Sequence, residues 1–348
     1  MTNTKKVQSV PGRNASEERT NESISRIGPI VERKNGMKPR RKLERVDEAS
    51  IRIPQADVSH IRRKWLDLPY ASLSPAQKLD VYLPDEGDGP FPVILHIHGG
   101  AFAIGDKRDI HVMAFLKGLK RGYAVASVNY RLSGEAIFPA GLQDIKAAIR
   151  WLRANSETYH LDGDRIAACG GSAGGNYAAM VSLTADVAEL DDLSLGNPEF
   201  PCYVQAAVDW FGPTDFLKMD EQLAESGLGP GDHSDADSPE SRYLGAKITE
   251  IPEKVRLANP MTYIHADMPP ILIQHGRLDP LVPVQQSICF VQELEKRVGP
   301  DRFEFDILEN AGHGDPLFET EENMNRVFRF IDRHLQQKGR SGYHRRRA

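Results

Sequence analysis

Cysteine and long apolar runs are scarce in this chain. Its 348 residues include three cysteines, Cys169, Cys202 and Cys289, and these stand far apart. Their odd number and wide spacing give neither a disulfide framework nor the paired spacing of a metal site. No apolar run approaches the roughly 18 residues that a membrane-spanning helix needs. We therefore expect a protein that does not enter a membrane and that uses no metal or other cofactor.

An apolar leader is also missing from the N-terminus. The first residues mix acidic with basic side chains and lack the apolar stretch of a secretory signal. The acidic residues also argue against an organellar transit peptide. With so little cysteine, the reducing cytoplasm is the predicted location.

Charge is distributed unevenly along the chain. The formal net charge of −5 divides into +5 over residues 1–48, +5 over residues 338–348 and −15 over the body between them. An acidic body with short basic ends is not typical of a nucleic-acid-binding protein. We expect no nucleic-acid partner. The sequence does not set the oligomeric state, although a dimer is compatible with it.

Composition predicts three regions. Residues 1–45 are polar and basic without a sustained apolar period, which predicts a disordered N-terminal tail. We expect one folded domain over residues 46–337 and a second basic tail over residues 338–348. Hydrophobic residues make up 40% of the chain and charged residues 27%, which is typical of a soluble globular domain.

Strand-like and helix-like segments alternate through the body. Residues 79–83 and 303–308 alternate apolar with polar side chains, which predicts half-buried edge strands. Nearly continuous apolar runs predict central parallel strands at 92–97, 123–128, 166–169, 204–208 and 271–273. Helical periodicity predicts helices over 112–120, 139–155, 284–296 and 324–335. The alternation predicts an α/β protein with a mostly parallel sheet and helices on both faces.

One segment interrupts this alternation. Residues 213–268 are rich in Asp, Glu, Gly and Pro and are expected to hold short helices around 217–226 and 252–258. An insertion between two strands, at the carboxyl edge of the sheet, is typical of a lid or specificity element. The alternative is a surface excursion that never touches substrate.

The most informative motif is the sequence CGGSAGG over residues 169–175. It matches Gly-x-Ser-x-Gly, the tight turn between a strand and a helix that exposes a nucleophilic serine, here Ser172. An apolar stretch precedes the motif and a small-residue stretch follows it. Gly170 and Gly174 are small where strand and helix must nearly touch. The alternative is a Gly/Ser-rich loop without chemistry.

A nucleophilic serine needs a histidine that takes its proton and an acid that orients the histidine. In α/β-hydrolases the acid and then the histidine follow the serine along the chain. His313 lies in a glycine-flanked loop directly after a predicted strand, and Asp279 follows the strand expected at 270–274. Asp315 is the fallback acid. The alternatives are a helix N-cap for Asp279 and a backbone-bonded loop residue for His313.

A second loop contributes hydrogen-bond donors rather than reactive side chains. The sequence HGGAF begins at His98, directly after a buried strand, and matches loops whose backbone N–H groups bind a tetrahedral intermediate. We assign this oxyanion hole to Gly100, Ala101 and Ala173. His96 and His98 have the spacing of two metal ligands, but no third ligand accompanies them at useful spacing. His98 is expected to brace the loop.

These motifs together resemble the hormone-sensitive-lipase-like branch of the α/β-hydrolases. The residues that carry the resemblance are the loop at 98–102, NYRL at 129–132, FPA at 138–140, Asp144 and the serine motif. The chain departs from the branch at Ala101, where many members have a third glycine. The second half is more similar to the bifunctional feruloyl and acetyl xylan esterase-like proteins, in the stretches 209–215, 238–241, 258–263, 279–283 and 311–314.

The resemblance covers about residues 49–337 and implies an α/β-hydrolase fold. It also implies a serine carboxylester hydrolase that acts on small-molecule esters, with acetyl or feruloyl-type acyl groups, through an acyl-enzyme intermediate. Two alternatives stay open. One is an amide hydrolase of the same fold, such as an aryl formamidase or a small peptidase. The other is a non-catalytic relative that binds a ligand or partner.

Overall fold

A computed structural model describes residues 53–336. The predicted tails at 1–45 and 338–348, and the predicted start of the domain at residue 46, lie outside the described residues. None of the helices within 53–336 combines the length and the apolar character that crossing a bilayer requires.

Eight strands form one central sheet. They are β1 (Lys64–Pro69), β2 (Lys78–Tyr82), β3 (Phe91–Ile97), β4 (Ala124–Val128), β5 (Leu161–Gly171), β6 (Ala206–Trp210), β7 (Ile271–Gly276) and β8 (Phe303–Leu308). Their order in the sheet is β1-β2-β4-β3-β5-β6-β7-β8. Strand β2 runs antiparallel to both neighbours, and the remaining pairs are parallel. The predicted mostly parallel sheet is confirmed.

Helices cover both faces of this sheet. They are α1 (Val112–Leu116), α2 (Ala140–Ala154), α3 (Ala173–Leu183), α4 (Met219–Ser226), α5 (Pro239–Leu244), α6 (Pro252–Leu257), α7 (Gln285–Val298) and α8 (Glu321–Leu335). Val93 and Leu95 of β3 share a buried cluster with α2 and α3, whereas Ile94 shares one with α1 and α8. Successive side chains of a strand point to opposite faces, so this alternation places a helical layer on each side.

The prediction that residues 79–83 form a half-buried edge strand is wrong. Strand β2 lies between β1 and β4, and its residues after Lys78 are buried. The alternating pattern gave a wrong prediction because its polar residue, Asp80, is buried and paired with basic side chains instead of facing solvent. Arg108 Nε lies 3.0 Å and Lys107 Nζ lies 3.8 Å from the Asp80 carboxylate. The sequence of the true edge strand, β1, shows no clear apolar period, and it was not predicted.

Two helical predictions also need correction. The helix expected over 112–120 ends at Leu116 and continues as a 3₁₀ turn, Lys117–Arg121, which Gly122 ends in the left-handed region with φ of 81°. The helices expected around 217–226 and 252–258 correspond to α4 and α6. Helix α5, which lies between them in the segment 213–268, was not predicted.

Three backbones meet closely where β5 turns into α3. A Cβ atom at Gly170 would overlap the carbonyl oxygen of Gly174, and one at Gly174 would overlap the carbonyl oxygen of Ile97 in β3. Backbone atoms in a buried sheet have little room to move aside, so a larger residue at either position would force the elements apart. These contacts fix where α3 begins relative to the carboxyl end of β3.

Candidate active site

Ser172 occupies the turn between β5 and α3. Its backbone has φ of 58° and ψ of −125°, a conformation that costs a residue with a side chain about 1–3 kcal/mol. The turn is held from both sides, because the Ser172 N–H donates to the Trp210 carbonyl at 2.8 Å and the Ser172 carbonyl accepts from the Asn176 N–H at 3.1 Å. The strained backbone therefore presents the hydroxyl at the carboxyl edge of the sheet.

Ser172, His313 and Asp279 form one hydrogen-bonded chain. His313 Nε2 lies 3.0 Å from Ser172 Oγ, and His313 Nδ1 lies 2.7 Å from Asp279 Oδ2. The three residues come from the turn after β5 and from the loops after β7 and β8. Because the carboxyl ends of parallel strands share one edge of the sheet, residues 141 and 34 positions apart in sequence meet there.

Asp279 is fully buried and has no role as a helix cap. Its Oδ1 accepts hydrogen bonds from the N–H groups of Leu281 and Val282, both at 2.9 Å, whereas α7 begins later, at Gln285. Burial alone would raise the pKa of Asp279. The charge of His313 and the hydrogen bonds of His275 and His313 outweigh burial and hold that pKa below its usual range. Asp279 is therefore an ionised carboxylate.

This ionisation state fixes the tautomer of His313. An ionised carboxylate only accepts hydrogen bonds, so the proton of the neutral imidazole lies on Nδ1, where it donates to Asp279. The Nε2 lone pair then faces the Ser172 hydroxyl at 3.0 Å. A ring in this orientation can take the proton of Ser172.

The loop after β3 lies beside Ser172. Gly100, Ala101 and Phe102 have φ values of 103°, 53° and 63°, so three successive residues adopt the left-handed region. Among residues 53–336, the N–H groups of Gly100, Ala101 and Ala173 have no backbone acceptor. His98 braces the loop, since its Nδ1 lies 2.8 Å from the Gly99 carbonyl and its ring stacks on Tyr130.

A cavity of about 630 Å³ opens at these residues. Ser172 and His313 line it together with Gly100 and Ala101. Four aromatic side chains that contact one another line it, Phe115, Trp210, Phe211 and Phe318. Further lining residues come from the segment 213–268 and include Asp232, His233, Pro239 and Arg242. The insertion therefore forms part of the wall around the serine.

The sequence model of the BD-FAE family matches residues 79–294, which is well over half of the chain. The chain belongs to the BD-FAE family. The match includes Ser172 and Asp279 and ends before His313. It confirms the resemblance to α/β-hydrolase esterases.

Named relatives of this BD-FAE protein are esterases. A probable carboxylic ester hydrolase, LipM of Mycobacterium tuberculosis, is 33% identical over 66% of this chain and 51% of its own length. A solved truncated carbohydrate esterase from gut microbiota is 31% identical, covers 82% of this chain and all of that one, and has a TM-score of 0.71. A bifunctional GH43-CE protein of Bacteroides eggerthii is 34% identical, with a TM-score of 0.70 over 78% of this chain and 35% of that one.

The chain spans about half the length of the curated relatives it matches. The matched part covers 51% of LipM and 58% of esterase LipQ, also from Mycobacterium tuberculosis. The comparison therefore covers only that part of those proteins.

Sequence reasoning missed one residue of the BD-FAE site, His275. Its ring is buried, with Nε2 at 2.8 Å from the Val282 carbonyl and 3.4 Å from Asp279 Oδ2, and Nδ1 at 2.7 Å from Ser287 Oγ. It supports the loop that carries Asp279. The sequence signal that could have identified His275 was its position at the end of β7, four residues before Asp279.

The fallback acid, Asp315, forms no hydrogen bond with His313 among the described residues. Its Oδ1 accepts from the N–H of Leu317 at 2.9 Å, and its Oδ2 lies 3.5 Å from the N–H of Gly312. It caps the short 3₁₀ turn at Pro316–Glu319. Within residues 53–336 no three His, Cys, Asp or Glu side chains gather as ligands for a metal ion.

His233 links the insertion to the loop of the catalytic candidate Asp279. Its Nε2 donates to the Leu281 carbonyl at 3.0 Å, and its Nδ1 lies 3.0 Å from Glu240 Oε1 at the start of α5. Burial would lower the pKa of His233, but the carboxylate of Glu240 outweighs burial and raises that pKa to about 9. The charged ring therefore holds the insertion against the residues after Asp279.

We expect His233→Gln to reduce stability in a pH-dependent way. The folded-state pKa of about 9 exceeds the ordinary value of 6.5, so the stabilisation is complete below about pH 6.5 and is lost as the pH rises through 9. Urea unfolding should show a loss of up to about 3 kcal/mol at pH 6 that shrinks towards pH 10. A loss of equal size at every pH would contradict the ion pair. The exposed His60→Gln serves as the matched control.

Proposed function

We propose that this BD-FAE protein is a serine carboxylester hydrolase. The observation that carries the proposal is the hydrogen-bonded chain from Asp279 through His313 to Ser172, beside a loop with free backbone N–H groups. Ester hydrolysis needs a nucleophile, a base and stabilisation of an oxyanion, and this edge of the sheet offers all three. The named relatives, which are esterases, support the same reaction.

In the proposed first half-reaction, Ser172 Oγ attacks the ester carbonyl carbon while its proton passes to His313 Nε2. Asp279 stabilises the imidazolium that forms and keeps the ring in its orientation. The carbonyl oxygen becomes an oxyanion that accepts hydrogen bonds from the N–H groups of Gly100, Ala101 and Ala173. The C–O bond to the alcohol then breaks, and His313 gives its proton to the departing oxygen.

The second half-reaction repeats these steps with water. His313 takes a proton from a water molecule, whose oxygen attacks the acyl carbon bound to Ser172. The same N–H groups stabilise the second tetrahedral intermediate. When it collapses, His313 returns the proton to Ser172 Oγ, and the carboxylic acid leaves.

We further propose esters with acetyl or feruloyl-type acyl groups as substrates. The cavity of about 630 Å³, lined in part by aromatic side chains, has room for a small acyl group with or without a ring. Two of the similar structures are a carbohydrate esterase and a bifunctional GH43-CE protein, which supports esters of carbohydrates as substrates. The amide-hydrolase alternative uses the same residues, but the relatives named above are esterases. The cytoplasmic location and the absence of a nucleic-acid partner stay predictions.

Ser172→Ala should abolish hydrolysis of p-nitrophenyl acetate, because the variant has no nucleophile at the end of the hydrogen-bonded chain. We expect less than about 1% of the wild-type kcat, since loss of the nucleophile removes most of the catalysis of such triads. The matched control is Ser182→Ala, which makes the same change further along α3, where Ser182 Oγ bonds the Ala179 carbonyl. Activity of Ser172→Ala above a few per cent would refute the proposal.

Asp279→Asn and Asp315→Asn distinguish the two candidate acids. An amide at 279 can donate to His313 Nδ1 and so favours the wrong tautomer, which should lower kcat by up to about 10,000-fold. The amide at 315 faces backbone groups away from His313, so kcat should change less than about threefold. Steady-state hydrolysis of p-nitrophenyl acetate measures kcat for both variants. Equal losses, or a larger loss for Asp315→Asn, would remove Asp279 from the proposed triad.

A further inference from the structure

The lining of the cavity includes a buried polar side chain, His96, that the proposed reaction does not use. His96, in β3, is 2% exposed and lines the cavity with Phe115 and Trp210. We call these three residues, with Phe318, the aromatic lobe. Its rings form a continuous path, with centroid distances of 5.3 Å from His96 to Phe115, 5.0 Å from Phe115 to Trp210 and 5.6 Å from Trp210 to Phe318.

The tautomer of His96 follows from its neighbour Ser127. The Ser127 hydroxyl lies 2.6 Å from the Lys107 carbonyl, which can only accept, so its single proton points there. His96 Nδ1 lies 2.9 Å from the same Ser127 oxygen. Because that oxygen has already used its proton, Nδ1 must be the donor. The neutral ring therefore carries its proton on Nδ1 and a lone pair on Nε2.

That lone pair has no partner among residues 53–336. His96 forms hydrogen bonds through Nδ1 only. Its ring lines the cavity and Nε2 is not fully enclosed by protein, so the lone pair on Nε2 is accessible from the cavity. Burial, with smaller effects from His98 and His111, lowers the pKa of His96 to about 3. At neutral pH no proton occupies Nε2, which stays a hydrogen-bond acceptor.

Two other polar groups that line the cavity are already engaged. Trp210 Nε1 donates to Gln274 Oε1 at 2.8 Å. The carboxylate of Asp109, which also lines the cavity, accepts from Gln55 Nε2 at 3.3 Å and from the Asp106 N–H at 2.8 Å. His96 Nε2 differs from these two groups, because it is an acceptor without a hydrogen-bond partner among residues 53–336.

We propose that His96 is a specificity-determining residue whose Nε2 accepts a hydrogen bond from a hydroxyl group on a ring bound in the aromatic lobe. A substrate ring can pack against the aromatic side chains that line the cavity, and a hydroxyl supplies the missing donor. The inference rests on the proposed esterase function and narrows it to esters that carry a hydroxylated ring. A ring without the hydroxyl would strip water from Nε2 and leave the acceptor unpaired, which disfavours its binding.

The test compares matched esters that differ by one hydroxyl group. One pair carries the ring in the acyl part, methyl cinnamate against its 3- and 4-hydroxy derivatives. The other carries it in the leaving group, phenyl acetate against 3- and 4-hydroxyphenyl acetate. In the pair whose ring binds in the aromatic lobe, we expect the wild-type kcat/KM to be about 3- to 10-fold higher for a hydroxylated ester than for the ester without the hydroxyl. This ratio is the typical net effect of one hydrogen bond. No preference in either pair overturns the inference.

Two variants test whether the preference for hydroxylated esters depends on His96 Nε2. The amide of His96→Asn reaches only the position of Nδ1, so it can still donate to Ser127 but removes the acceptor from the lobe. The longer amide of His96→Gln can place its oxygen where Nε2 was. The hydroxyl preference should fall to about 1 in His96→Asn and return in part in His96→Gln. An unchanged preference in His96→Asn overturns the inference.

Controls separate the possible failures. If His96→Asn does not fold, judged by circular dichroism, His96→Phe keeps the ring, removes both nitrogens and should abolish the preference in the same way. Ser172-dependent hydrolysis of p-nitrophenyl acetate is measured with the same wild-type preparation. Its absence would refute the proposed function itself. Its presence, with equal rates for both members of each ester pair, would refute the role of His96 alone.

Discussion

The close approach of backbones at Gly170 and Gly174 is the constraint on which the site depends. Because a Cβ at either position would overlap a carbonyl oxygen, β5, α3 and β3 meet at a distance that only glycine permits. The turn between them holds Ser172 with φ of 58°. Its cost is offset by the packing of α3, all of whose residues are buried. A rigid scaffold thus keeps one hydroxyl exposed in a strained turn.

The parallel sheet brings the remaining groups to that hydroxyl. Strands β6, β7 and β8 follow β5 in spatial order, so the loops after β7 and β8 must extend back towards Ser172. Phe211, directly after β6, supports this path, since its ring packs on His313 with a centroid distance of 4.8 Å. Hydrogen bonds between His275 and the Val282 carbonyl, and between the Leu281 N–H and Asp279, hold the loop after β7 in place. The insertion lines part of the cavity, and His233 bonds it to the loop that carries Asp279.

The sequence prediction succeeded where a pattern depends only on residues that are neighbours in the chain. Continuous apolar runs predicted the central strands, and motif order brought Ser172, Asp279 and His313 forward as candidates, which the fold places within hydrogen-bonding distance. The wrong predictions concern residues whose interaction partners are distant in the sequence. Asp80 looked like an exposed position because its ion pair with Arg108 comes from another segment. The charged pair in the insertion and the acceptor of His96 likewise depend on contacts that no periodicity reveals.

The central claim is that Ser172 Oγ is a nucleophile activated by His313. Peptide mass spectrometry after treatment with a fluorophosphonate measures this directly, because the reagent bonds covalently to an activated serine. We predict one adduct, on the peptide that contains Ser172, with loss of esterase activity in proportion to labelling. An adduct confined to another residue, or full esterase activity while Ser172 stays unlabelled, would contradict the account.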